Sequence, residues 1–225
     1  MPVSQDDVVR AAIEVLDDNG LAGVTLRAVA NRLGVSAPTL YWHVKSKRHL
    51  LDLMAEAIMA TSRGRENRPA PGQDVLDWLA ERARAMRAAQ LAHRDGALVC
   101  AGNRPTAAAV PGIEAFLRVL VEYGFTPPEA LRTVMALGAY VSGDALETQS
   151  EMARGLEEAP GDSEIAVEVR TGRYPTLLAA AEAFRVGDRR SFDEARFETG
   201  LSLLIDGMRA RLSATKSRAA CPGPR

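Results

Sequence analysis

Residues Thr25-Leu26-Arg27-Ala28-Val29-Ala30-Asn31-Arg32-Leu33-Gly34-Val35-Ser36, continuing as Ala37-Pro38-Thr39-Leu40-Tyr41-Trp42-His43-Val44-Lys45-Ser46-Lys47, decide the fold of this chain. Thr25 suits a helix N-cap, Leu26, Val29, Ala30 and Leu33 recur at helical spacing, Gly34 breaks the helix, and Val35 plugs the turn. Ser36 opens a second, very short helix with Pro38 in its first turn, where no amide hydrogen is required. This helix has few core residues for its length. Leu40 and Val44 can turn inward with Trp42 partly buried as a core plug, leaving Thr39, Tyr41 and His43 outward. A helix, a glycine turn and a short polar-faced helix make the shape that enters a DNA major groove.

Working outward, the charge is unevenly placed. The 225 residues carry a formal net charge of −1, which read globally argues against a nucleic-acid binder. Yet no acid occurs between Asp18 and Asp52, while Arg27, Arg32, Lys45, Lys47 and Arg48 all lie in that gap. A local basic patch on a near-neutral protein is what a phosphate-binding module needs; the alternative is an ordinary solvated cationic face. The caps sharpen the contrast. Helix N-termini favour acids because the aligned peptide dipoles leave partial positive charge there. Asp6 and Asp7 supply it to the first helix, and Ser191-Phe192-Asp193-Glu194 predicts a capping box for the last. The starts at Thr25, Ser36 and Ser46 have none, an omission of ~0.3–1 kcal/mol each that an external phosphate would offset.

The rest of the chain reads as helical, so the expected fold class is all-α. A first helix runs from the Ser4 cap to Gly20, and a longer one from Ser46 to about 62. Further helices are expected at about 73–91, 95–101, 107–123, 127–150, 175–185 and 192–212. Arg63 to Gly72, with two prolines and two glycines, reads as a linker, 151–164 as an acidic mobile loop, and the tail from Ser213 as disordered. The organisation is then a helix-turn-helix domain over 1–62, a helical ligand-binding and dimerisation domain over 63–212, and a tail over 213–225. No apolar run approaches a membrane span, no basic-then-apolar leader precedes Ser4, and two cysteines, Cys100 and Cys221, give no disulfide framework. A cytoplasmic protein is expected. No metal-ligand cluster and no cofactor motif is present.

The segment from Leu33-Gly34-Val35 through Pro38-Thr39-Leu40-Tyr41-Trp42-His43-Val44-Lys45-Ser46-Lys47-Arg48 resembles the DNA-binding domain of the TetR family. His93-Arg94-Asp95-Gly96-Ala97, Gly102-Asn103-Arg104-Pro105-Thr106, Tyr123-Gly124-Phe125 and Gly200-Leu201 to Gly207 resemble the ligand-binding domain of the tetracycline repressors. The resemblance implies roles. Arg27 is similar to a base-reading arginine, with bidentate contact to guanine as its physical basis. Pro38 and Thr39 match positions that touch base edges or thymine methyls. Tyr41, His43 and Lys47 match phosphate contacts, with Thr25 capping its helix beside the backbone. Ala37 departs from a glutamine, and a methyl cannot make that side chain's pairing to adenine, so the operator should differ.

A homodimer is implied as well. Phe197, Leu201, Leu204, Ile205 and Met208 form an apolar stripe, and Ala139 and Gly143 are small enough for tight packing. The resemblance makes these two helices and their symmetry mates a four-helix interface; an intramolecular core is the plainer alternative. Two recognition helices would then sit roughly 34–36 Å apart and select a near-palindromic double-stranded operator.

In the effector site, resemblance and residues disagree. The family's metal-binding histidine aligns with Cys100, an asparagine with Arg82, a glutamine with Phe116 and a second histidine with Gly64, while Arg104, Pro105 and Glu147 remain. Thiolate is a poor ligand for magnesium, which prefers oxygen. The expected small-molecule effector is therefore mainly apolar and not tetracycline–magnesium. Met86, Cys100, Pro105, Ile113, Phe116, Leu117, Leu131, Val134 and Met135 suggest its pocket, with Arg82 and Arg104 as polar anchors for an anionic or carbonyl group. A redox role for Cys100 would need a lowered pKa. Two other classes stay open. An all-α enzyme is disfavoured because His43, His49 and His93 form no catalytic arrangement. A dimeric DNA-binding module without effector is separated from the regulator by ligand-induced thermal stabilisation.

Overall fold

The computed structural model describes residues 3–62, 68–102, 104–155, 164–184 and 189–220. Among them every regular element is helical: α1 (Gln5–Gly23), α2 (Leu26–Leu33), α3 (Ala37–Leu40), α4 (Lys47–Thr61), α5 (Val75–Leu91), α6 (Gly96–Ala101), α7 (Val110–Glu122), α8 (Pro127–Gly155), α9 (Glu164–Arg170), α10 (Pro175–Phe184) and α11 (Arg189–Ala220). No helix among them is long and apolar enough to cross a membrane. Half of the expected linker, residues 63–67, and the end of the tail, 221–225, lie outside the described residues.

Local chemistry accounts for the first four helices. Ser4 accepts from the Asp7 amide and the Asp7 carboxylate returns a bond to the Ser4 amide, a complete capping box. Gly20, at φ 70° and ψ 177°, breaks the regular turn where the sequence ends it. Thr25 accepts from the Ala28 amide at 3.0 Å and Ser46 from the His49 amide at 3.1 Å. Gly34 caps α2 at φ 67°, left-handed backbone that glycine adopts at least cost.

Two apolar clusters form. In the first, Val8, Ala12, Leu16, Val29, Leu40, Val44, Leu50, Met54 and Ile58 join α1 to α4. In the second, Trp78, Leu79, Leu120, Leu137, Val141, Phe197 and Leu201 join α5, α7, α8 and α11. Across the second lies a buried ion network. Arg87 Nε donates to Asp144 at 2.6 Å, Arg196 reaches the other oxygen of the same carboxylate at 3.0 Å, and the Arg87 guanidinium stands 4.7 Å from the Phe197 ring centroid.

Several expectations change. Trp42 is 88% exposed and plugs nothing. It falls midway between Leu40 and Val44, both fully buried, and so on the far side of that turn. Helix α8 runs five residues past 150, because no glycine or proline occurs between Gly143 and Gly155. Residues 156–163 of the expected acidic loop lie outside the described residues, and an unforeseen helix, α9, starts at Glu164 and is followed by Gly172 at φ 73°. Residues 213–220, expected to be disordered, continue α11, since no breaker stands between Gly207 and Pro222. That helix starts at Arg189, so Ser191 lies inside it and not at its N-cap. Asp193 turns in toward Arg196 instead, at 3.9 Å.

Removing one partner of a buried ion pair leaves the other charge uncompensated. Asp144→Ala is therefore expected to lower the unfolding free energy by about 3–5 kcal/mol in urea denaturation. A loss below about 1 kcal/mol, the range of exposed pairs, would show that the network is solvated and peripheral.

Candidate nucleic-acid interface and effector cleft

The α2–α3 face is set by what it lacks. Arg27 is exposed on the first turn of α2, and Lys45 and Lys47 are exposed around the start of α4. None of the three forms an ion pair among the described residues. Arg32, counted in the same basic patch, does not belong to it: its guanidinium is held by Glu14 at 3.3 Å and by Asp18. Arg48 is also committed, donating to the Gly102 carbonyl and lying 3.6 Å from Asp52. The available cations are thus fewer than the sequence count, and they border α3.

Of the residues expected to face DNA, Thr25, Arg27, Pro38, Tyr41 and Lys47 are exposed, while Ala37, Thr39 and His43 are half-buried. Ser36 and Thr39 bond each other through their hydroxyls at 2.8 Å. The turn after α3 is pinned from both sides. Gln5 Nε2 donates to the His43 carbonyl at 2.8 Å, and the Lys45 amide donates to His49 Nδ1 at 3.1 Å. Sequence reasoning missed Trp42 as the most exposed ring of this face, because ring size was weighed above its position in the turn.

On the other side of α4 is a cleft of about 180 Å³. Asp52, Ala55, Glu56 and Met59 of α4 line one wall, with Cys100, Arg104, Pro105, Ala109 and Ile113 opposite. Four expected ligand residues meet here: Cys100, Arg104, Pro105 and Ile113. The carboxylates of α4 close the cleft. Asp52 accepts from the Arg104 amide at 3.2 Å, and Glu56 accepts from the Thr106 amide and from its hydroxyl at 3.1 Å. Neither carboxylate was foreseen, although Asp52 and Glu56 are four residues apart on one helix face and Asp52 ends the acid-free run. Burial pushes the Cys100 thiol up to about 12, so at neutral pH it is a protonated, inert group.

The remaining ligand candidates do not reach this cleft. Arg82 donates to the Ser62 carbonyl at 2.7 Å and ties α5 to the end of α4. Met86, Phe116, Leu117 and Val134 pack on the second apolar cluster, with the Phe116 ring 5.0 Å from that of Trp78. Leu131 and Met135 are exposed, and with Ala139 and Gly143 they follow a four-residue stripe along α8. Gly64 lies outside the described residues, and Glu147 is exposed.

The interface candidates divide in the same way. Phe197 and Leu201 are each 1% exposed in the single chain, and Ile205 and Met208 are also buried, so most of their surface is already spent on the chain's own core. Gly200 allows an internal approach, since a Cβ there would meet the Tyr140 hydroxyl at 2.3 Å. Leu204 is half-buried, and Ala139 and Gly143 are open. Leu203, at 71%, is the large apolar residue of α11 left facing outward. With Leu204, Gly207 and Ala136 it lines a groove of about 470 Å³ between α8 and α11.

Comparison with known proteins identifies the family and the fold. Residues 8–54 match the family described as bacterial regulatory proteins, tetR family, and residues 68–212 match the tetracyclin repressor-like C-terminal domain. The tetracycline repressor protein class A from transposon 1721 of Escherichia coli is 37% identical over 210 residues, covering 91% of this chain and 89% of that one. A TetR variant from Acinetobacter baumannii AYE, solved in complex with minocycline, superposes with a TM-score of 0.72 at 32% identity, covering 92% of this chain and 97% of the other. ActR of Streptomyces coelicolor, solved in complex with (S)-DNPA, gives 0.72 at 28% identity, over 93% and 98% of the two chains. With both regions matched, and with relatives that are transcriptional regulators, the chain belongs to the tetR family of bacterial regulatory proteins and carries a tetracyclin repressor-like C-terminal domain.

Proposed function

We propose that the chain is a cytoplasmic transcriptional repressor that binds a near-palindromic operator as a homodimer and is released by a small, mainly apolar effector other than tetracycline–magnesium. Residues 1–62 form the DNA-binding unit, 63–212 the effector and dimerisation unit, and the outward stripe of Ala139, Gly143, Leu203, Leu204 and Gly207 meets its symmetry mate. The observation that carries the reading is α4. It lends Leu50, Met54 and Ile58 to the core beneath the DNA-facing helices, and Asp52 and Glu56 to the wall of the cleft.

Release follows from size. The cleft of about 180 Å³ is smaller than the ~300–1,000 Å³ usual for ligand sites. An occupant must therefore spread α4 from residues 104–106, loosening the bonds held by Asp52 and Glu56. The population moves toward the spread state by as much as the ligand prefers it. Pro105, Ile113, Met59 and Ala109 favour an apolar body, and the Arg104 guanidinium favours an anionic or carbonyl end.

Sulfur at Cys100 is a poor ligand for magnesium, which prefers oxygen, and this supports a different effector from the tetracycline repressors. Tetracycline with magnesium is expected to leave the melting temperature of the dimer unchanged, and a Cys221→Ser chain is expected to resist thiol alkylation at about pH 8 until unfolded. Rapid alkylation of the folded chain, or a clear thermal shift with the drug–metal complex, would refute this assignment.

On the DNA side, Arg27→Ala is expected to cost about 1–3 kcal/mol and to relax preference at one base position per half-site. Lys47→Ala is expected to weaken all sequences alike and reduce the salt slope by about 1 per protomer. Fluorescence anisotropy across a salt series reads both; equal loss on all sequences for Arg27→Ala would remove its base-reading role.

A further inference from the structure

We propose that the effector carries a hydrogen-bond donor, a hydroxyl or an N–H, at its inner end, and that the Gln90 carboxamide behind the cleft accepts from it. The inference rests on the reading of the cleft as the effector site and adds the chemistry that its inner end selects.

Gln90 of α5 is 1% exposed, yet its side-chain oxygen accepts no hydrogen bond from the described residues. The nitrogen of the same carboxamide is engaged twice. Nε2 donates to Ser142 Oγ of α8 at 3.2 Å and to Met59 Sδ of α4 at 3.8 Å. These contacts fix which way round the carboxamide stands. A thioether sulfur accepts and does not donate, so the end beside Met59 is the nitrogen and the free end is the carbonyl oxygen. The backbone carbonyl of Gln90 is satisfied separately, by Gln149 Nε2 at 3.4 Å. Buried polar groups are normally paired, because an acceptor removed from water without a donor costs free energy. A ligand that supplies the donor accounts for the one left open here.

Met59 is the link between this oxygen and the cleft, since it lines one wall and also touches Gln90. Its unbranched side chain is flexible and its bond to Nε2 is weak. The movement that entry requires, α4 away from residues 104–106, draws Met59 off Gln90 in the same step. The cleft then deepens from about 180 Å³ toward the carboxamide. Its two polar groups ask for opposite partners: the Arg104 guanidinium only donates, whereas the Gln90 oxygen only accepts. A ligand that satisfies both has an anion or carbonyl at one end of an apolar body and a hydroxyl or N–H at the other. Pairing the Gln90 oxygen is a gain made in the spread state alone, so it adds to the preference that drives release.

The test uses matched sets of benzoic, naphthoic and biphenylcarboxylic acids and the corresponding methyl ketones. Each bears hydrogen, hydroxyl or methoxy at the far end and is titrated against the full chain by calorimetry. In the set whose length spans the cleft, the hydroxyl member is expected to bind about 10- to 100-fold more tightly than the other two, the range of one buried hydrogen bond left unmade. Gln90→Met keeps the length of the side chain and removes the acceptor. It should erase the hydroxyl preference while leaving the affinity for the unsubstituted member unchanged. Without ligand it should lower the melting temperature no more than Ser142→Ala, which removes the Nε2 bond alone. A larger fall would show that the Gln90 oxygen is already paired and would overturn the proposal. Equal binding of hydroxyl and methoxy members in every set, or a hydroxyl preference that survives Gln90→Met, would overturn it while leaving the cleft as the effector site. If no acid or ketone of any length binds, the effector reading of the cleft fails and this proposal falls with it.

Discussion

The bonds from Asp52 and Glu56 to the backbone of residues 104–106 are what the remaining account depends on. Both carboxylates stand on α4, whose other face is buried with α1 and α2. One rigid helix thus belongs to two packed bodies at once. Close packing makes such a helix move as a unit, so a displacement at the cleft is felt at α3. A second set of bonds holds the far edge: Asp95 accepts from the Leu21 amide at 2.8 Å, and His93 stands 3.0 Å from Asp17. Together these clamp the end of α1 against the α5–α6 turn and the middle of α4 against the segment that follows α6.

The electrostatics of the outer face follow from the same economy. Arg32 and Arg48 are spent internally, on Glu14 and Asp18 and on the Gly102 carbonyl. Arg27, Lys45 and Lys47 remain beside three helix starts that have no acid in their first turns. A net charge near zero is compatible with binding a polyanion because no acid lies between Asp18 and Asp52, the stretch that holds these three cations. Local field decides affinity for phosphate, and the global sum does not.

The helix-turn-helix was legible in sequence because its determinants are local: the Thr25 and Ser46 caps, the Gly34 break and the helical recurrence of Leu26, Val29 and Leu33; Ser36 stands at the N-cap of α3 but its hydroxyl bonds Thr39 and caps no amide. What escaped was what local patterns do not encode. An apolar stripe on α11 predicts burial but not the partner, and Phe197 and Leu201 turn out to pack on their own chain. Size made Trp42 look like a core residue, whereas its place between Leu40 and Val44 already put it outward. Residues aligned with one ligand site separate in space, so that Cys100 and Ile113 line the cleft while Met86 and Phe116 pack behind it. The Arg87–Asp144–Arg196 network joins three helices distant in sequence, and neither periodicity nor spacing marks it. Ends of helices were misjudged where composition suggested a loop but no glycine or proline stopped the turn, as at 151–155 and 213–220.

The central claim is sequence-selective binding of DNA by a two-fold dimer. The most direct test is a competition titration at physiological salt between a palindrome selected from a random pool and a scrambled duplex of equal length, with the mass of the complex measured on the same sample. The account predicts one dimer per palindrome and an affinity ratio of at least ~10³, the lower end for specific regulators. A ratio near unity, or a monomer on each duplex, would contradict it.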